Sequence, residues 1–186
     1  RTVGFVNQHI EAAVQLDCDH MVVSTGFAYL DVDAEDAFGW CAEAMGRIAR
    51  KAEQEGVTLA VEPFTKYTTH ICNEASQLRR LLRTVNSPRL TGLADTDVIA
   101  TTAVDTFSTF LDVIGPENLG HVHFVDGNPG GHLVPGDGVL DLDGALEKLK
   151  AIHYTGALGL EVLDRRYVFA PEAAMKQAMD WYKERI

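Results

Sequence analysis

Two histidines, His121 and His123, sit two residues apart in the short apolar run 120–125, and Asp126 follows at once. Period-two spacing places both imidazoles on one face of a strand. The loop 127–138 then brings five glycines, two prolines and a third histidine, His132. A strand that ends in ionisable residues and opens into a long polar loop is how a metal or substrate site is built at the C-terminal mouth of an α/β barrel. Three other apolar runs carry a carboxylate at or next to their C-terminal ends. These are 57–62 with Glu62, 90–95 with Asp95 and 156–162 with Glu161.

Any one of these charges has an ordinary explanation as a helix N-cap or a solvated rim residue. Four in successive units, aimed into one cavity, are different. Burying three carboxylates together is costly unless a cation neutralises them. Two Glu, one Asp and one His form an oxygen-rich set with a single nitrogen. Such a set suits one divalent ion, Mn2+ first, with Co2+, Mg2+ or Zn2+ as alternatives, and not a structural zinc site. Asp97 competes with Asp95, and His121 with His123. Asp95 is preferred because it directly follows its apolar run, His123 because it lies nearer its strand's end.

The elements that must position these residues recur in order. Residues 2–16 read as a helix with Val3, Val6, Ile10, Ala13 and Val14 on its apolar stripe. The run HMVVSTG reads as a buried parallel strand. A helix capped by Asp33 or Asp36 follows and stops at Gly56. Strands are expected at 57–63, 90–95, 120–125 and 156–162. Helices are expected at 73–85, 102–114, 140–152 and from Pro171 to about 185. A β-then-α unit therefore returns every ~30–36 residues, which means parallel strands joined by right-handed crossovers. No glycine-rich phosphate loop follows any strand, so a dinucleotide-binding sheet is disfavoured. Five units are too few for a barrel of eight.

The 186 residues suffice for one domain with its own core, and 46% are hydrophobic. The net charge of −11 argues against nucleic acid as a partner. No run approaches the ~20 apolar residues of a membrane span, and no signal peptide is visible. Cys18, Cys41 and Cys72, free of any CxxC pattern, are expected to be buried reduced thiols in a cytoplasmic protein. The chain begins with Arg rather than Met.

The segments VTLAVEP, SPRLTGLAD, HVHFVD…HLVPGDG and YTGALGLEVL, in this order and spacing, resemble the sugar isomerases and epimerases of the xylose-isomerase-like TIM barrels. The nearest subgroup is the ketose 3-epimerases of the tagatose 3-epimerase and fructoselysine 3-epimerase types. The resemblance runs from the first helix to the PEAAMKQAMDWYKE tail. It implies an α/β fold, with 1–186 as the C-terminal five βα units of a TIM (β/α)8 barrel and three N-terminal units, about 80–100 residues, absent. It also implies that Glu62, Asp95, His123 and Glu161 match the metal ligands, and that Glu62 and Glu161 match the pair that moves a proton beside a ketose carbonyl.

The chain departs from the ketohexose pattern at three points. Thr68 stands where a second Glu contacts sugar hydroxyls, Val98 where a His does, and His132 replaces an Arg beyond the His ligand. The resemblance thus keeps the metal set while the sugar-reading set changes. A sugar derivative is the expected substrate, with His132 in contact with it. Other readings are the metal-barrel subunit of a C-glycoside-cleaving complex and a non-catalytic barrel fragment that pairs with itself or a partner. A barrel endonuclease would bring more His ligands and several zinc ions, and the acidic balance counts against DNA.

Overall fold

The βα repeat is realised as five parallel strands hydrogen-bonded in sequence order. The computed structural model describes residues 1–29 and 31–185. The strands are β1 (His20–Ser24), β2 (Thr58–Glu62), β3 (Leu90–Asp95), β4 (Leu119–His123) and β5 (Leu158–Gly159). The helices are α1 (Thr2–Gln15), α2 (Ala34–Glu55), α3 (Ala75–Val85), α4 (Thr96–Thr102), α5 (Phe107–Ile114), α6 (Leu142–Ala151) and α7 (Pro171–Lys183). Local chemistry sets their limits. Asp33 Oδ1 accepts the Glu35 and Asp36 amides at the start of α2, and Gly56 ends it in a left-handed conformation. Glu74 and Gln77 form a capping box at α3, so Asn73 lies outside the helix and instead donates to the Phe64 and Thr69 carbonyls.

Alternation along the strands separates two faces. Leu59, Val61, Leu90, Ala94, Val122 and Phe124 join the helices in the main core. Ala60, Glu62, Leu93, Asp95, His121 and His123 occupy the opposite alternation, the inner face.

Several expectations need correction. The helix expected at 102–114 is α5 alone and starts later, at Phe107 with Thr106 as its cap; an unexpected helix, α4, precedes it, capped by Asp95 immediately after β3 and closed by Ala103 with φ 55°. Val104 therefore lies in the connection and is exposed. On α1, Val14 is exposed while Ile10 and Ala13 are buried. β1 is an edge strand, and its inner-face Val22 is 42% exposed. β5 has two residues, both paired with β4, which leaves Glu161 beyond the ladder. Cys18 is exposed, whereas Cys41 and Cys72 are buried and all three are free. Burial pushes the Cys41 thiol up to about 11 and raises that of Cys72 as well.

One irregularity decides which side chains face inward. Gly92 pairs with Leu119, but Leu93 pairs with His121, so β4 carries an extra residue at Gly120. A one-residue slip in register reverses the face shown by every later side chain. Without this bulge Asp95 would sit opposite Val122; with it, Asp95 pairs with His123. Gly120 is needed there because a Cβ would run into the Thr91 hydroxyl, which donates to the Leu59 carbonyl at 2.9 Å. Gly120→Ala should therefore destabilise the chain by about 1–3 kcal/mol in urea unfolding. Gly39→Ala, on the exposed face of α2 with open space around it, should instead be neutral or stabilising by up to about 1 kcal/mol.

Candidate metal centre

Glu62 ends β2, Asp95 ends β3, His123 ends β4, and Glu161 lies two residues past β5. One ligand atom from each falls within 4.8 Å of all the others. His123 Nδ1 stands at the middle of the acids, 3.1 Å from Glu62 Oε1, 3.2 Å from Glu161 Oε2 and 3.5 Å from Asp95 Oδ2. A ring nitrogen carries one proton at most and cannot satisfy three carboxylates. Around a small divalent ion with bonds near 2.1 Å, neighbouring ligand atoms lie roughly 3–4 Å apart, and the three distances from His123 Nδ1 fall in that range.

Asp95 performs both tasks open to a carboxylate at a strand end. Its Oδ1 accepts the Asp97 and Val98 amides, each at 2.8 Å, and so caps α4. Its Oδ2 is buried and has no hydrogen bond, although His132 Nε2 lies 3.2 Å away. A buried carboxylate oxygen that faces two imidazole nitrogens, at 3.2 and 3.5 Å, without a hydrogen bond to either is a natural position for a cation. Together with the oxygen-rich donor set, this makes the four residues a good fit for a hard divalent ion.

The electrostatics follow from the crowding. Burial opposes charge on Asp95, but the imidazoles of His123 and His132 outweigh it and hold the carboxyl down at about 2. Burial also opposes charge on His123, yet Asp95, Glu62 and Glu161 raise it to about 10. Glu161 moves upward, first through burial and then through the charge of Glu62.

The long loop after β4 returns one side chain to this point. His132 reaches the centre as expected, although its ring meets carboxylates: Nδ1 lies 3.0 Å from Asp97 Oδ2, and Nε2 lies 3.2 Å from Asp95 and 3.4 Å from Glu161. Asp97, weighed above as a rival ligand, instead stands behind His132. His121 packs edge-on against His123 with ring centroids 5.2 Å apart.

Asp126 points away from ligand chemistry and organises the loop. Its two buried oxygens accept four amides, from Gly127, Gly136, Gly138 and Leu140, at 2.8–3.0 Å. The sequence hint was the clustering of glycines after an acid, because their bare backbones can approach one carboxylate closely. Of the loop aromatics, Phe27 stacks on Phe64 at 6.0 Å, while Tyr29 and Tyr67 are exposed. Asp164 forms a turn, accepting the Arg166 amide and pairing with its guanidinium.

The comparisons bear on the family and the fold. The family model described as xylose isomerase-like TIM barrel matches residues 1–185. The chain belongs to that family. Among the relatives of this barrel chain, fructoselysine 3-epimerase of Shigella flexneri is 26% identical over 184 residues, covering 98% of this chain and 66% of the relative. Ketose 3-epimerase of Arthrobacter globiformis is 30% identical over 118 residues, covering 63% of this chain and 39% of the relative. The chain thus spans at most about two-thirds of either relative's length. Among solved structures, 3-keto-D-glucoside 4-epimerase from E. coli superposes with a TM-score of 0.86 at 19% identity, over 98% of this chain and 70% of that one. The five strands are part of such a barrel.

Replacing Asp126 leaves four amides without their acceptor. Asp126→Ala should cost about 3–5 kcal/mol in denaturant unfolding. Amides of residues 127–140 should exchange with solvent faster than those of β2 and β3. A loss under about 1 kcal/mol would show that the loop is held by other means.

Proposed function

We propose that residues 1–186 form a single domain, the C-terminal part of a xylose isomerase-like barrel, that acts as a divalent-metal-dependent sugar epimerase or isomerase, with epimerisation at carbon 3 of a ketose favoured. The carrying observation is the convergence of Glu62, Asp95, His123 and Glu161 from four neighbouring strand ends. When bound, a divalent ion, Mn2+ first and Co2+, Mg2+ or Zn2+ as alternatives, would polarise the ketone and its neighbouring hydroxyl and so acidify the C–H between them. Glu62 and Glu161 are the proton carriers. One takes the proton from carbon 3 and the other delivers a proton to the opposite face, inverting the centre. Their places support this division, since in strand order they flank Asp95 and His123. Transfer confined to one face between adjacent carbons would give aldose–ketose isomerisation instead.

His132 is assigned to substrate contact, with its Nε2 bordering the centre. The substrate is a small sugar or sugar derivative, as the epimerase names of the relatives support. The inner face beside β1 is uncovered at Val22, which supports an active form that pairs with another copy or with a partner subunit. The buried free thiols Cys41 and Cys72 support a reducing, cytoplasmic setting. Among the described residues, no helix is long and apolar enough to cross a membrane.

Elemental analysis is the direct test. About one Mn, Co, Mg or Zn per chain is expected, lost in Glu161→Ala and kept in His9→Ala, a change on the exposed side of α1. Exchange of the carbon-3 proton of ketoses with solvent deuterium should follow the metal. No bound ion after reconstitution with Mn2+ would defeat the proposal.

The ligand assignment also fixes a pH response. His123, raised to about 10, carries a proton on the metal-free chain at pH 7, and an ion must displace it from the ligand nitrogen. Affinity should therefore rise with pH below about 10. Calorimetry at pH 7 in buffers of different ionisation enthalpy should register about one or more protons released per ion. Binding that is independent of the buffer would remove His123 from the ligand set.

A further inference from the structure

Glu161 is the least supported member of the centre. β5 ends at Gly159, so no ladder hydrogen bond fixes the backbone of Glu161. Its carboxylate is 37% exposed and makes its close contacts with the imidazoles of His123 and His132. Glu62, by contrast, ends a fully paired five-residue strand and is buried.

His132 reaches the Glu161 segment twice. Its ring Nε2 lies 3.4 Å from Glu161 Oε2, and its carbonyl accepts the Leu163 amide at 3.1 Å. His132 is itself held in a left-handed backbone conformation, φ 48°, which non-glycine residues rarely adopt. Asp97 holds it there. Its Oδ2 accepts the His132 amide at 3.1 Å and faces the ring Nδ1 at 3.0 Å, while Oδ1 accepts the Gly130 amide at 2.6 Å. Asp97 is buried in the first turn of α4, two residues after Asp95. A carboxylate behind an imidazole sets which ring nitrogen points forward.

We propose that Asp97 is a positioning residue that acts through His132 to place Glu161 in the centre. One buried acid on the β3 unit thereby fixes an acid two units away, where strand pairing does not reach. The reach to the metal rests on the function proposed above. The orientation of Glu161 by Asp97 and His132 does not.

A double-mutant cycle tests it on the full chain with Co2+ as the probe. Asp97→Asn should weaken Co2+ binding by about 10–100-fold, as losses behind a ligand do. The same change made on top of His132→Ala should cost clearly less than it does alone, since only the backbone contacts of residue 132 remain to be lost. Losses that multiply, or an unchanged affinity in Asp97→Asn, would overturn the proposal. A second measurement needs no metal. The side-chain carboxyl carbon resonance of Glu161, assigned through Glu161→Gln, should shift in Asp97→Asn and shift less when Asp97→Asn is added to His132→Ala. If Asp97→Asn does not fold, His132→Gln keeps the two backbone amides on Asp97 and must shift that resonance by itself. A stationary resonance in His132→Gln overturns the proposal. Should the native chain take up no Co2+, the function proposed above fails, and the carboxyl resonance alone decides the role of Asp97.

Discussion

Three carboxylates crowd around one imidazole nitrogen at the ends of neighbouring strands, and this concentration of charge is what the surrounding structure must sustain. Like charges a few ångströms apart repel strongly once water is displaced. In the metal-free chain His123 and His132 supply the compensating positive charge, which is why both are raised to about 10 while Asp95 is held at about 2. A buried ionic cluster of this kind adds little net stability by itself. Its cost is offset by the apolar contacts on the other face of the same strands, where Leu59, Val61, Ala94, Val122 and Phe124 join the helical core.

The backbone brings the charges together by three unequal devices. The extra residue at Gly120 turns His121 and His123 to the face of Asp95. The N-terminus of α4 engages one oxygen of Asp95 and leaves the other free. Asp126 gathers four amides of the long loop and so returns His132 to the strand ends. Each device uses backbone groups that would otherwise need partners of their own. The site is thus built largely from the hydrogen bonds that turns and helix ends must make in any case.

The strand ends and the four-residue cluster were legible in the sequence because each strand is a short apolar run closed by an ionisable residue, a pattern that survives without tertiary information. Asp33 and Gly56 bounded α2 for the same reason, as local capping chemistry. Gly120 was invisible as a bulge, since alternation within one strand does not reveal the register of its neighbour. The start of α4 was missed because Asp95 was weighed as either a cap or a ligand, and its two oxygens serve the two roles separately. Asp97 was read as a rival to Asp95, although a second acid two residues into a helix turns away from the strand and toward the following loop. Val104 and Val14 show the limit of periodicity, which marks apolar residues without saying that a neighbour covers them.

The two glutamates assigned to proton transfer differ in how they are held, and that difference follows from strand position. Glu62 ends an interior strand: it pairs with Ser24 of β1, and the β2–β3 ladder closes at the residue before it. Glu161 follows a two-residue edge strand and depends on contacts from the β4 loop. A group fixed by the sheet can hold one geometry, while a group fixed by a loop can adjust as substrate or ion enters. A centre that passes a proton across a carbon atom needs one carrier on each side, and only one of them has to be rigid for the ion to keep its place. The free oxygen of Asp95, buried and tied through its partner oxygen to α4, supplies the second rigid point. Glu62 and Asp95 thus stand at the ends of neighbouring paired strands, whereas Glu161 meets the centre through the imidazoles of His123 and His132.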